Sequence, residues 1–283
     1  MKHNPHRSQN IAFALLFIAT ILVILPVILI VSIIISKGWS AISWEFLTAM
    51  PKDGMRHGGI FPAILGTIYL VLGTLLFALP LGVLSAIYLT EYAKDNWFTR
   101  LIKLAIINLA GVPSVVYGLF GLGIFVIFLK FGSSILAGSL TLAIMVLPII
   151  ITTTKEALDS VPQSFREVSL SLGASKWQTI RYSVLPHALP GILTGIILAI
   201  SRAAGETAPI LFTVAAFFLP KLPTSIFDQV MALPYHLYVI STQVPNVNVN
   251  VRYGTALVLL IMVLSMNFLA IVVRSEFRKR KKW

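Results

Sequence analysis

Cysteine is absent from the 283 residues, and acidic side chains are scarce, ten Asp and Glu against 22 Lys and Arg. Without a thiol there is no disulfide, no thiolate nucleophile and no cysteine-held metal. Charged residues of both signs make up 11% of the chain, less than half of the roughly 25% carried by soluble domains. So few charges cannot cover the surface of a water-soluble fold. A G-x-x-x-x-G-K-[ST] run is also missing, so the chain has no P-loop through which to bind ATP itself. The five histidines (His3, His6, His57, His187, His236) are scattered. His3 and His6 have a metal-like spacing, but in a terminal tail, so neither a metal site nor a cofactor is expected. No nucleophile–base constellation is legible, which argues against a membrane-embedded enzyme.

What is abundant is apolar: 57% of residues are hydrophobic and the mean hydropathy is +0.91. Charge-free intervals run over 8–36, 57–90, 104–129, 131–154, 182–201 and 253–273, each long enough for the ~20 residues of a spanning helix. The fifth is read as continuing past Arg202 and Glu206 to about Thr213. The fold class expected is therefore an all-α integral membrane protein with six transmembrane helices. The uncharged core Ile11–Ile35 of the first interval is 25 residues, beyond the roughly 7–15 of a signal-peptide core, so it reads as an anchor helix.

A formal charge of +12 would raise the question of nucleic acid in a soluble protein. Here the basic residues sit at the ends of apolar runs, which is a topological signal, and no nucleic-acid partner is expected. Segments 1–10, 93–103, 155–187 and 274–283 hold two, three, four and six Lys and Arg, fifteen in all, against six in 37–59, 130–136 and 219–252. Cytoplasmic loops are the basic ones, so both termini are placed in the cytoplasm. The 278–282 basic run then serves as an orientation signal and a contact for anionic membrane lipid.

Several spans carry breakers: Pro26, Pro80 with Gly82, Gly111 with Pro113, Pro148, and Gly205 with Pro209. Gly and Pro are common in membrane helices for no special reason. Alternatively, freed backbone groups line a pathway, since irregular backbone is tolerated at depth only when buried in protein or facing water. Gly111–Tyr117 and Gly205–Pro209 are the candidates for that second role.

Segment 155–187 is 33 residues long, too long for a bare connection, and its periodicity is helical. Pro162 opens a piece with Val161, Phe165, Val168 and Leu172 at helical spacing, and Gly173 stops it. Ser175 and Gln178 form a capping-box pair. Trp177, Ile180 and Val184 then stripe a second piece that Pro186 is expected to end. Two short amphipathic helices hinged at one glycine either pack on headgroups and their own bundle or offer a docking surface to a soluble partner.

The run Glu167-Val168-Ser169, three residues, Gly173, nine residues, Ser183-Val184-Leu185-Pro186 resembles the EAA loop of ABC-importer permeases, E-A-A-x3-G-x9-I-x-L-P. Glu167, Gly173, Leu185 and Pro186 match in register; Val168 and Ser169 replace the alanines and Ser183 the isoleucine. More narrowly, residues 58–270 resemble the A-type permease subunit of the phosphate-specific importer. That likeness is carried by Ala110-Gly111-Val112-Pro113-Ser114-Val115-Val116-Tyr117-Gly118, by Leu172–Ile180 and by Arg202-Ala203-Ala204-Gly205-Glu206-Thr207-Ala208-Pro209. The resemblance implies an ABC-importer permease (MetI-like) fold in a prokaryotic inner membrane. It implies a heterodimer with a C-type permease subunit, two copies of a cytoplasmic ATPase, and an external phosphate-binding protein. ATPase coupling would then involve Arg166, Glu167, Gly173, Ala174, Leu185 and Pro186. The substrate pathway for inorganic phosphate would involve Arg202, Glu206 and Thr207. Hydrolysis would belong to another chain.

Arg202 lies twelve residues beyond Pro190, ~18 Å along an ideal helix and so well inside a hydrocarbon core ~30 Å thick. Burying an arginine at a helix centre costs about 2.5–3.5 kcal/mol on insertion scales, and such residues are functional candidates. Arg202 and Glu206 are i and i+4 and can pair, though arginine before glutamate is the poorer order. Either the guanidinium offers its donor fork to an oxyanion in transit, with Glu206 holding it, or the pair is structural.

Domain organisation is read as residues 1–57 (tail, first helix and external loop), 58–276 (permease core) and 277–283 (basic tail). External segment 37–59 carries interfacial aromatics. Segment 219–252, with its apolar middle Met231–Ile240, is read as a lid on the bundle or a landing surface for the binding protein. Two other functions fit less well: the same architecture moving molybdate, tungstate or sulfate, and an ion-coupled secondary transporter, which would predict an internal repeat.

Overall fold

In hydrocarbon the backbone has no water to bond, so spanning segments close their hydrogen bonds within helices. The computed structural model describes residues 5–279, with side chains from Gln9 onward. The described helices are α1 (Pro5–Gly38), α2 (Trp44–Thr48), α3 (Phe61–Ile87), α4 (Trp97–Ala110), α5 (Ser114–Gly121), α6 (Ile135–Asp159), α7 (Gln163–Ser171), α8 (Lys176–Gln178), α9 (Leu185–Gly205), α10 (Ala208–Thr213), α11 (Leu233–Thr242) and α12 (Val249–Lys279). π-helical turns extend α3 over Tyr88–Tyr92, extend α5 over Leu122–Phe128, and join α8 to α9 over Thr179–Val184. The His3–His6 tail pattern and most of the 278–282 basic run lie outside the described side chains.

Five segments are long and apolar enough to cross a membrane: Gln9–Ala41, Phe61–Tyr92, Ile135–Asp159, Lys176–Gly205 and Val249–Lys279. The expected third span departs from a single rod. α4 and the α5 segment to Phe128 meet at 105°, and six spans are reached by counting this bent pair as one. Pro113 has no N–H for the Leu109 carbonyl. That oxygen instead accepts the Val112 N–H at 3.1 Å and the Tyr117 hydroxyl at 2.7 Å, which fixes the corner. Pro26, Pro80 and Pro148 sit inside unbroken helices.

The fifth span also differs from expectation. It stops at Gly205, Glu206 is extended (ψ 136°), and a separate α10 follows. An unbroken helix would need the N–H of residue 209 for the Gly205 carbonyl, and residue 209 is proline. At its other end the span starts earlier than expected. The piece opened by the Ser175–Gln178 capping box runs without a break into α9, so Pro186 does not end it. In the π turn the Leu185 N–H bonds to the Ile180 carbonyl five residues back, and this widened turn is where the helix passes Pro186, which has no N–H to contribute. α7 is therefore the one free-standing helix of the 155–187 segment.

Two apolar clusters hold the bundle. The larger joins α3, α6, α9, α10 and α11 around Leu142, Met145, Val146, Ile150, Ile210, Leu233 and Ile240, all buried. The smaller lies at the α7 end and contains Leu89, Leu158, Val161, Ile180 and Val184. α1 is apolar on every face and exposed from Ile11 to Leu29, the signature of a lipid-surrounded helix. It meets α12 near Gly38, where Lys37 Nζ sits 5.2 Å from the Tyr253 ring centre.

At the end away from α7, the apolar middle of segment 219–252 is packed into the core: Val230–His236 are buried, and the Leu233 N–H donates to Thr67 Oγ1 at 2.8 Å. Beside it, the hairpin β1 (Pro51–Lys52) and β2 (His57–Gly58) pairs antiparallel, Pro51 opposite Gly58. The Asp228 carboxylate accepts the N–H groups of Thr224 (2.8 Å) and Ser225 (2.9 Å), which hold it below the usual carboxylate range.

Candidate functional site

α9 carries members of both sets singled out by sequence, Leu185 and Pro186 of the coupling set and Arg202 of the pathway set. Leu185 opens it and Arg202 lies near its far end, seventeen residues on, or ~26 Å of helical rise. At that far end Arg202 Nε stands 3.4 Å from Glu206 Oε1, with the two side chains 33% and 18% exposed. The pair spans the break after Gly205 instead of lying along one helix face. Neither terminal nitrogen of the guanidinium has a hydrogen-bond acceptor among the described residues, so its donor fork is open. Thr207 follows at the N-cap of α10 and makes no side-chain capping bond.

The far end of α10 meets the start of α6, where the Ser134 N–H donates to the Thr213 carbonyl at 3.0 Å. The six residues of α10, ~9 Å of rise, separate that contact from the Arg202–Glu206 pair. α5 closes one side. Gly118 meets α10 so tightly that a Cβ would come within 2.8 Å of Phe212 and 3.0 Å of the Ala208 carbonyl. The two segments that sequence nominated, Gly111–Tyr117 and Gly205–Pro209, are thus brought together where Gly118 of α5 meets Ala208 and Pro209 of α10. The backbone at the second is open: nothing lies within 4 Å of a Cβ placed on Gly205.

At the α7 end, Gly173 takes φ +83° with nothing within 4 Å of a notional Cβ, so conformation and not crowding requires glycine there. Glu167 is exposed, Ala174, Leu185 and Pro186 are half-buried, and the Ala174 N–H closes the turn on the Ser169 carbonyl at 3.2 Å. The predicted stripe is divided: Val161 is buried, while Val168 is 61% and Leu172 84% exposed. With Tyr182 these two line an apolar groove of about 410 Å³ that also includes Ser164 and Ser183.

Arg166 is held differently from Arg202. Its Nη2 and Nε reach Glu91 Oε1 at 2.7 and 3.1 Å, Nη1 donates to the Val161 carbonyl at 2.9 Å, and Nη2 also donates to the Leu158 carbonyl at 3.0 Å. Sequence reading missed Glu91, 75 positions away. It also missed the use made of two departures from the loop pattern. Ser169 Oγ bonds Thr179 Oγ1 at 3.0 Å and Ser183 Oγ donates to the Phe165 carbonyl at 3.2 Å, both across the hinge. Among the described residues no three His, Asp or Glu side chains gather as a metal site.

Residues 78–282 match the family described as binding-protein-dependent transport system inner membrane component. The chain is 32% identical over 280 residues to phosphate transport system permease protein PstA 1 of Mycobacterium tuberculosis, covering 97% of this chain and 90% of that one. It is 35% identical to PstA of Yersinia pestis, over 87% and 82% of the two chains. It is 36% identical to the probable ABC transporter permease YqgI of Bacillus subtilis, over 84% and 85%. Among solved structures, a bacterial ABC transporter that imports the acidic polysaccharide alginate superposes with a TM-score of 0.69 over 96% of each chain at 13% identity. The inward-facing MetNI methionine transporter gives 0.57 over 77% of this chain and 94% of that one at 18% identity. At these identities the structural likeness speaks for fold.

Proposed function

Since this chain belongs to the family of binding-protein-dependent transport inner membrane components, we propose that it is the A-type permease subunit of an ATP-driven importer of inorganic phosphate. The relatives named for phosphate transport match across most of its length, which supports the substrate and favours no other oxyanion. The observation that carries the mechanism is the open guanidinium of Arg202 beside a break in α9. An arginine whose fork is unfilled, at depth and beside a carboxylate that offsets its charge, suits brief contact with an oxyanion. Glu206 keeps that contact from becoming a trap, and the free hydroxyl of Thr207 adds a polar group at the same level.

In this reading residues 58–276 form the permease core, paired with a C-type subunit to complete the pathway. Glu167, Gly173, Ala174 and the exposed Val168 and Leu172 face a cytoplasmic ATPase, present in two copies and supplying all hydrolysis. Both termini lie on that side of the inner membrane, and an external binding protein delivers phosphate to the opposite face. α9 links the two sites as one rod from Leu185–Pro186 to Arg202.

The test is ATP-dependent uptake of labelled phosphate into vesicles holding the full complex. Wild type is expected to accumulate phosphate, and Arg202→Gln to lower uptake by about two orders of magnitude or more, as loss of a charge-assisted contact in the path would, with assembly intact. Normal uptake by Arg202→Gln would make the pair structural. Transport of another oxyanion in place of phosphate would leave the architecture and overturn the substrate.

A further inference from the structure

The π-helical turn Tyr88–Tyr92, at the end of α3, is gripped from both sides of the Gly173 hinge. Before the hinge, Arg166 of α7 reaches Glu91, and the two side chains are 12% and 8% exposed. After it, Lys176 places its ammonium 5.1 Å from the centre of the Tyr92 ring. Arg166 also donates to the carbonyls of Leu158 and Val161, at and just beyond the end of α6, so α3, α6 and α7 meet at one guanidinium. π turns interrupt otherwise regular helices at a cost and collect at functional sites. This one turns Glu91 toward a cavity of about 560 Å³ that Arg166, Lys176 and Thr90 also line. Thr90 Oγ1 is buried there without a partner.

We infer that Glu91 is a positioning residue for coupling: through Arg166 it fastens α7 to the end of the second span, so that a displacement of α7 carries α3 with it. The assignment rests on the importer reading above, because it presumes that α7 receives the stroke. Without Glu91, α7 keeps its exposed apolar face, its hinge and its ties to α6 and to the 179–184 turn, but it loses its own tie to α3. ATP would then still be hydrolysed while the second span lags. Exchanging the two charges is not a rescue: a carboxylate at position 166 would face the Leu158 and Val161 carbonyls, acceptor against acceptor.

The experiment compares wild type, Glu91→Gln, Glu91→Asp and Lys176→Met in the full complex in vesicles, reading phosphate moved per ATP hydrolysed together with hydrogen exchange of segments 88–92 and 163–171 with and without nucleotide. Glu91→Gln is expected to keep ATPase activity while phosphate per ATP falls about tenfold or more, as loss of a buried partner would dictate. Glu91→Asp should recover part of the ratio, and in wild type alone both segments should change exchange together on nucleotide binding. An unchanged ratio in Glu91→Gln, or uptake and ATPase falling in step, reduces the pair to a structural tie and overturns the inference. If Glu91→Gln fails to assemble, Lys176→Met decides, with a lower ratio supporting the grip and a wild-type ratio opposing it. If wild type moves no phosphate, the importer reading fails separately. Joint or independent exchange of the two segments then decides the mechanical link by itself.

Discussion

Two arginines, each paired with a glutamate, stand in opposite electrostatic situations, and their variants should separate stability from transport. Arg166 has every nitrogen engaged and is nearly buried, so Arg166→Ala leaves a buried carboxylate without its counter-charge, a loss of about 3–5 kcal/mol. Arg202 makes one long contact at partial exposure, and Arg202→Ala should cost within about 1 kcal/mol. Thermal unfolding in detergent checks the ordering, and the reverse order would mean the open pair is the structural one. Sequence revealed Arg202 because a charge inside an apolar run stands out. It could not reveal Glu91, whose importance comes from a partner 75 residues away. His236 is a further residue that only burial explains. Its surroundings push its pKa from 6.5 down to about 4, and its Nδ1 has no partner. Between those values the unfolded chain holds a proton that the native protein refuses, so stability rises with pH across the window. Acidification from 6.5 to 4 should remove on the order of 3 kcal/mol, and His236→Met should flatten the slope. A slope unchanged by that substitution would place the titrating group elsewhere.

Helix ends were legible to the degree that they depend on local chemistry. Gly111 with Pro113 and Gly205 with Pro209 do break the chain, since each proline withholds the donor its helix would need and glycine adds no stiffness. Pro26, Pro80 and Pro148 do not break it: each stands alone inside a long helix, without the Gly two to four residues before it that precedes Pro113 and Pro209. π turns such as Thr179–Val184 have no counterpart in hydrophobic spacing, which is why Pro186 looked like a terminus. The hinge at Gly173 offers a separation of backbone from bulk. Its φ of +83° penalises any side chain, and nothing lies within 4 Å to penalise size. Gly173→Ala and Gly173→Trp should therefore unfold at similar temperatures, each about 1 kcal/mol below wild type. Only the tryptophan, projecting from the proposed docking face, should release the ATPase in a pull-down of the complex. Equal release by alanine would show that the turn conformation matters and the space above it does not.

At the scale of the molecule, the fold assigns elements to two ends, while the choice of which end faces the cytoplasm rests on charge. Gly38, at the end of α1, packs against Tyr253 and Gly254 near the start of α12, so the beginning of α1 and the end of α12 share the other side with α7. The β1–β2 hairpin and α11 lie on the side of Gly38. The proposed orientation, with the α7 end in the cytoplasm, rests on the fifteen Lys and Arg in sequence segments 1–10, 93–103, 155–187 and 274–283 against six in 37–59, 130–136 and 219–252. Because the chain has no cysteine, single substitutions at exposed Lys52 in the hairpin and exposed Gln163 at the start of α7 give this chain one reactive thiol each. A membrane-impermeant maleimide applied to intact cells should label Lys52→Cys at once and Gln163→Cys only after permeabilisation. Labelling in the opposite order would put α7 outside, where no cytoplasmic ATPase can reach it, and the importer reading would fall with the topology. Labelling of both in intact cells would mean that the segments between them do not separate two compartments, against the packing of α3 and α6 as buried, apolar neighbours in one bundle.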